Sequence, residues 1–251
     1  MTFRLSQIQY LFWKEVRQLT RNQVAMLTSL LMPAFLLVLA PLLALLASRT
    51  SGYGPVSVPA LTARLPGFEA VRTAQDYFLY ETLPLLFVLV SLLTPMLVAI
   101  PTFIVERERR SLELLLSLPV LVDDILAAKL AAILATAVAT TLSMFLVDAV
   151  VILTLTPAGT AYVAATAFLV FSTLVASVGG SLLLGLMARD VRTATMRGAL
   201  FCVVPLFLTG LCIVVVPGTA RFWVLGVLML GLACGAVSTG LRLLTYERYV
   251  V

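Results

Sequence analysis

The sequence predicts an all-α polytopic membrane protein, and three observations predict it. Of its 251 residues 61% are apolar and 12% charged, with a mean hydropathy of +1.10; a soluble fold of this length has no interior large enough for that. The apolar residues fall in long, almost uncharged runs, each of about 18 residues or more, the length needed to cross roughly 30 Å of hydrocarbon at about 1.5 Å per helical residue. The basic residues gather at the ends of those runs, where they report orientation.

One transmembrane domain, 1–251, accounts for the whole chain. It comprises an amphipathic segment 1–23, six spans at 24–47, 82–105, 126–155, 161–187, 199–216 and 222–244, and a polar connection 106–124 between the second and third. An even number of spans puts both termini on one side. That side holds Arg4, Lys14, Arg17, Arg21, Arg107, Arg109, Arg110, Lys129, Arg189, Arg192, Arg197, Arg242 and Arg248; the other holds Arg49, Arg64, Arg72 and Arg221. Thirteen bases against four in short loops predict cytoplasmic termini by the positive-inside rule, and with them a place in the cytoplasmic (inner) membrane.

The elements follow in order. In residues 3–20, Leu5, Ile8, Phe12, Val16 and Leu19 recur at helical spacing opposite Gln7, Lys14, Arg17 and Gln18. This stripe predicts an interfacial helix with Tyr10 and Trp13 at headgroup depth; a frayed tail is the alternative. The segment is too polar, and the run after it too long, for a cleavable signal, so the first span is expected to remain. Between spans one and two, 48–81 opens on Gly52, Gly54, Pro55 and Pro59 and turns aromatic at Phe68, Tyr77, Phe78 and Tyr80, a turn-rich lead-in to an interfacial stretch. Spans five and six are joined only by Pro217 to Arg221, which predicts a tight hairpin. Pro33, Pro41, Pro95 and Pro101 can bend spans one and two, and small residues in spans four and six, among them Gly179, Gly180, Gly226, Gly231 and Gly235, allow close helix approach.

Composition also excludes chemistry. The chain has no His, and Cys202, Cys212 and Cys234 all fall within apolar runs, where they read as small core residues and leave a zinc site without ligands. Its two lysines, Lys14 and Lys129, follow Trp13 and Ala128, so a G-x-x-x-x-G-K-[ST] phosphate loop cannot form. Clustering of the bases at span ends speaks against a nucleic-acid groove. A non-catalytic membrane subunit, with no cofactor or metal of its own and lipid around it, is the expectation.

The most informative segment is the connection between spans two and three. Glu106, Arg107, Glu108, Arg109 and Arg110 form a dense mixed-charge patch. Ser111 can cap a short helix whose Leu112, Leu115 and Leu116 make an apolar face, with Glu113 near its positive end. Pro119 stops that helix, and Asp123 or Asp124 starts the next. Read alone, the segment is either an amphipathic loop resting on its own bundle or a surface for another protein.

The run E-R-E-R-R-S-L-E-L-L-L-S-L-P, followed by I-L-A-A-K-L, resembles the signature of ABC-transporter permeases of the type 2 exporter class. The pattern's Thr is absent here, and its frequent Gly is Ser111 or Arg110. The resemblance extends to the amphipathic N-terminal helix, the six spans and the cytoplasmic termini, with a shorter link between spans five and six than many relatives have. It implies that 106–119 contains a coupling helix docking into a separate ATP-binding subunit. It also implies that ATP and Mg are bound on that partner, and that the permease works as a homodimer or heterodimer.

Asp148, toward the outer third of span three, is the ionisable residue that stands out within the bilayer. Such a charge costs roughly 2.5–3.5 kcal/mol at mid-membrane on insertion scales. It is either a polar point on a translocation path or a structural acid bonded to a neighbouring hydroxyl or to Arg221. An ion-coupled secondary transporter centred on Asp148, and a scaffold recruiting a cytoplasmic protein through 106–119, are the rival functions.

Overall fold

A computed structural model of the chain describes residues 9–17, 34–39, 41–43, 46, 74–108, 122–156, 158–187 and 191–250. Among the described residues the regular structure is helical, and five helices are long and apolar enough to cross a membrane. Most of the first run, 24–47, lies outside the described residues, apart from a π-helical turn Ala34–Leu39 and a few residues after it.

Helix α1 spans residues 9–17. It turns Phe12 and Val16 onto a small apolar cluster of Ala99, Ala132, Ile133 and Val178, while Tyr10 and Trp13 stay 74% and 62% exposed and Lys14 and Arg17 point to solvent. The described part of the stripe read from the sequence is therefore used as an amphipathic face, with Phe12 and Val16 docked on one end of the bundle; Leu5, Gln7, Ile8, Gln18 and Leu19 lie outside the described residues.

The long helices are α2 (Leu83–Glu108), α3 (Val122–Leu155), α4 (Thr160–Met187), α5 (Val191–Val215) and α6 (Ala220–Val250). The α5–α6 connection spans only Val216 to Thr219, so these two helices form a hairpin. Helix α4 is the hub, packing most extensively on α6 and α2 and also touching α3 and α5. Its inward face carries Ala165, Leu169, Leu174 and Ala176 together with buried Thr166, Ser172, Thr173, Ser177 and Ser181. Thr166, Ser172 and Thr173 bond the carbonyl four residues back at 2.7–2.9 Å, and Ser181 bonds the one three back. These small, self-satisfied residues let helices approach without leaving polar groups stranded.

The glycines show how close the approach is. A Cβ at Gly179 would stand 3.1 Å from Val237 Cγ2 and 3.2 Å from the Ala233 carbonyl oxygen on α6. One at Gly180 would meet the Phe201 ring of α5, and one at Gly226 the Phe168 ring of α4. Gly231 and Gly235 behave differently: they are exposed, with nothing within 4 Å of where a Cβ would sit. Cysteine placement is likewise split. Cys202 and Cys212 are buried as expected, and Cys202 Sγ lies 3.7 Å from Met96 Sδ, but Cys234 is exposed on α6 and is no core residue.

Helix α3 starts at Val122 and α6 runs on to Val250, beyond the expected 126 and 244, and two further helix ends differ from the sequence reading. Helix α5 starts at Val191, well before the apolar run at 199, and Arg197 reaches back to donate to the Met187 carbonyl at 2.8 Å, placing a cation on the carbonyl end of α4. The helical path into α2 begins at Ala74, continues through a π-helical turn Phe78–Thr82, and carries the apolar span outward to Phe78. Glu81, read from sequence as the edge of a loop, thereby enters the bundle.

Candidate functional site

Three places were singled out or emerge as chemically distinctive: the 106–119 connection, Asp148, and an ion pair around Glu81. For the first, Glu106, Arg107 and Glu108 occupy the end of α2, and their side chains lie outside the described residues. Arg109, Arg110, Ser111, Leu112, Glu113, Leu115, Leu116 and Pro119 lie outside them altogether. The architecture places the ends of that connection at Glu108 and Val122. They fall at the same end of the bundle as α1, since Phe12 and Val16 pack with Ala99 and Ala132 there.

The opposite end holds the ion pair. Arg221, at the start of α6, is 1% exposed and Glu81 5%, and Arg221 Nη1 donates to Glu81 Oε1 at 3.0 Å. The same nitrogen donates to the Tyr80 carbonyl at 3.1 Å, and Nε donates to the Gly218 carbonyl at 2.9 Å. The guanidinium carbon stands 5.9 Å from the Tyr80 ring centroid, within cation–π range. Gly218, at φ +60° in the α5–α6 hairpin, supplies the left-handed residue that a side chain would strain, and so turns the chain back into α6.

Why these carbonyls accept bonds from other helices follows from Pro84. Proline has no N–H, so neither the Tyr80 carbonyl four residues back nor the Leu79 carbonyl five back, the partner in the π register, can bond to residue 84. The Leu83 N–H, for its part, bonds the Phe78 carbonyl. Tyr80 O is taken by Arg221, and Leu79 O accepts the Tyr162 hydroxyl of α4 at 2.6 Å. Tyr162 packs edge-on against both Tyr80 (5.6 Å between centroids) and Phe222 (5.3 Å). The result is an aromatic and charged lock joining α2, α4 and α6, whose members are each accounted for by a backbone carbonyl or a counter-charge.

Asp148 is 2% exposed on the inward stripe of α3 with Phe145, Ala149 and Ile152, and its Oδ2 has no hydrogen-bond partner. Arg221, named from sequence as a possible partner, is instead paired with Glu81. The expectation that Asp148 stood alone as an intramembrane acid also fails, because Glu81 is a second. Among the described residues no three or more His, Cys, Asp or Glu gather in a way that could hold a metal ion. What the described geometry can do is lock one end of the bundle; it offers no nucleophile paired with a base.

Glu81 was the residue that sequence reasoning missed. The signal that could have found it is an acid three residues before a proline at a span start, with a single arginine opening another span at the same end of the bundle. A model of the family described as "ABC-2 family transporter protein" matches residues 9–222 of the chain. Among curated proteins none matches.

Proposed function

Because the chain belongs to the ABC-2 family of transporter proteins, matched from α1 to the start of α6, we propose that it is the permease subunit of an ATP-driven exporter. That single match carries the reading. Around it, the chain is a multi-pass membrane protein with no phosphate-binding loop in its sequence, so the ATP that drives the cycle, and its Mg, bind a separate ATP-binding subunit. Two such subunits sit beneath a dimer of this chain, or beneath this chain and a similar permease. The basic asymmetry sets the orientation: both termini, α1 and the 106–119 connection face the cytoplasm in the inner membrane, and the Glu81–Arg221 lock faces outward.

In this reading 106–119 is the coupling helix. Leu112, Leu115 and Leu116 supply the buried anchor into the ATPase, and Glu106, Arg107, Glu108, Arg109, Arg110 and Glu113 form its polar rim. Closure of the ATP-binding subunits pushes on the ends of α2 and α3 that flank this segment. The test is partner retention together with transport-coupled ATPase in the same monodisperse preparation. Leu115→Asp or Leu116→Asp releases the ATP-binding subunit or uncouples it, and Arg109→Ala does less because an exposed charge is worth little alone. A well-folded Leu115→Asp protein that retains its ATPase and transports normally refutes the assignment.

A second reading rests on Asp148, whose buried, unpartnered carboxyl oxygen suits a polar point on a translocation path or the proton site of an ion-coupled carrier. Transport that follows a proton gradient and ignores ATP selects the carrier.

A further inference from the structure

Among the described residues, Ser91 on α2 and Thr141 on α3 are the buried hydroxyls without a hydrogen-bond partner. Thr94, Thr136, Thr140, Thr166, Ser172, Thr173 and Thr209 each bond a carbonyl four residues back on their own helix. Ser91 and Thr141 are 0% exposed, and neither Ser91 Oγ nor Thr141 Oγ1 has a hydrogen-bond partner. They do not bond each other, yet the helix register brings them together. Phe87 of α2 packs edge-on against Phe145 of α3, 5.5 Å between centroids. Nearer the other end Ala99 clusters with Ala132 and Ile133. The two helices are therefore antiparallel, and one turn along each from the Phe87–Phe145 contact sets Ser91 opposite Thr141.

A third polar atom lies at the same level. Pro95 stands four residues after Ser91 and has no N–H, so the Ser91 carbonyl lacks its helical donor. At this level the neighbouring Leu92 carbonyl accepts the Ser177 hydroxyl from α4, so α2 carbonyls here are within reach of donors outside their own helix. Two buried hydroxyls without a partner and a carbonyl without its helical donor thus fall at one level of the bundle interior, where an unpaired polar group costs more than in a soluble protein. A water molecule is the ligand that fits: it is small, both donor and acceptor, and settles where two to four polar partners meet.

We infer that the α2–α3 seam holds a structural water bridging Ser91 Oγ, Thr141 Oγ1 and the Ser91 carbonyl, a hydrated hinge in α2 at Pro95. Asp148, seven residues beyond Thr141 and so about 10 Å along α3, lies on the far side of the Phe87–Phe145 pair and outside this site. The water replaces the hydrogen bond Pro95 cannot make, and it lets α2 bend there while its polar atoms remain satisfied. The inference stands independently of the ATP-driven reading, because it uses only packing within one chain.

Thermal unfolding of the full chain in detergent micelles tests it with Ser91→Ala, Thr141→Val, the double variant and Thr141→Ser. A bridging water ties the two hydroxyls into one unit. Each single replacement then lowers the midpoint by roughly 2–6 °C, the double variant falls no further than the worse single, and Thr141→Ser stays near wild type. Single shifts under about 1 °C, or a double shift equal to the sum of the singles, overturn the inference. If no variant folds, radiolytic labelling of the wild-type chain in isotopically labelled water decides. Radiolysis of the bound water yields a hydroxyl radical that adds its labelled oxygen to the buried rings of Phe87 or Phe145 beside it, and rings that remain unlabelled while exposed Trp223 is modified refute the site.

Discussion

Replacing Arg221 by methionine should be among the most costly single changes in the described bundle. The substitution keeps an apolar stem of similar reach and removes the donors that serve Glu81 Oε1, the Tyr80 carbonyl and the Gly218 carbonyl, at 3.0, 3.1 and 2.9 Å. Glu81, 5% exposed, is left as a buried carboxylate without its counter-charge, and Pro84 cannot return a donor to Tyr80 O. Breaking a buried pair from one side costs about 3–5 kcal/mol. For a chain of this size that corresponds to roughly 6–20 °C of midpoint at about 2–4 °C per kcal/mol. Glu81→Leu should cost a similar amount, because it strands the guanidinium, which still holds two carbonyls. The double variant Glu81→Leu with Arg221→Met should cost no more than either alone, since removing both charges also removes their desolvation penalty. Tyr162→Phe, which loses one hydrogen bond to the Leu79 carbonyl, should cost about 1–2 kcal/mol. The assay is thermal or denaturant unfolding in a fixed detergent, with monodispersity measured alongside. Additive losses in the double variant, or an Arg221→Met midpoint within about 2 °C of wild type, would refute the lock.

Five further outcomes are expected. Gly179→Val should destabilise by about 2 kcal/mol or more, because its neighbours include the Ala233 backbone and cannot move aside. Gly231→Ala, facing open space, should be neutral or stabilising by up to about 1 kcal/mol in the isolated subunit; unfolding midpoints distinguish the two. Phe12→Asp with Val16→Asp should weaken membrane seating or assembly more than Tyr10→Asp with Trp13→Asp, since the first pair packs on the bundle and the second is exposed; flotation and size-exclusion profiles check this. Asp148→Asn should keep most transport in a vesicle assay, whereas complete loss with normal folding would support the ion-coupled carrier. In a cysteine-free background, single cysteines at Ser57 and Thr73 should label from outside and those at Ser111 and Thr195 only from the cytoplasm; outside labelling at Thr195 would overturn the topology.

Much of the fold was legible because lipid imposes it. A backbone in hydrocarbon has to satisfy its own hydrogen bonds, so long uncharged runs become helices and their order follows from the chain. The stripe through Phe12 and Val16 was legible for a similar reason: a period of 3.6 has meaning only if one side of the helix meets apolar matter. The docking role proposed for 106–119 rests on its sequence, since 109–119 lies outside the described residues. The polar stations inside the bundle were harder to see. Asp148 could be picked out as an acid in an apolar run, but its surroundings depend on which helix faces it. Arg221 was read as Asp148's possible partner because both lie toward one end, whereas the pairing was decided by a π-helical turn that brought Glu81 inward.

Proline supplies the connection between those stations. Pro33, Pro41, Pro95 and Pro101 were read from sequence as bends, and Pro84 passed unremarked at a span start where proline is commonplace. Each missing N–H also leaves a carbonyl that some other group has to satisfy when water is excluded. At Pro84 the freed Tyr80 and Leu79 carbonyls recruit Arg221 from α6 and Tyr162 from α4. Near Pro95 the Leu92 carbonyl accepts the Ser177 hydroxyl from α4, and the Ser91 carbonyl lacks its helical donor. Pro84 therefore does more than bend the chain: it sets where α4 and α6 form polar contacts with the turn that leads into α2. A movement of α2 would then be transmitted at those two levels, because lipid and aliphatic packing permit sliding while a directed hydrogen bond in a dry interior does not. Pro84→Ala gives this a direct check. By restoring an N–H to the Tyr80 carbonyl it should make Arg221→Met measurably less damaging than in the native background, and an unchanged penalty would show that the carbonyl was never in need of Arg221.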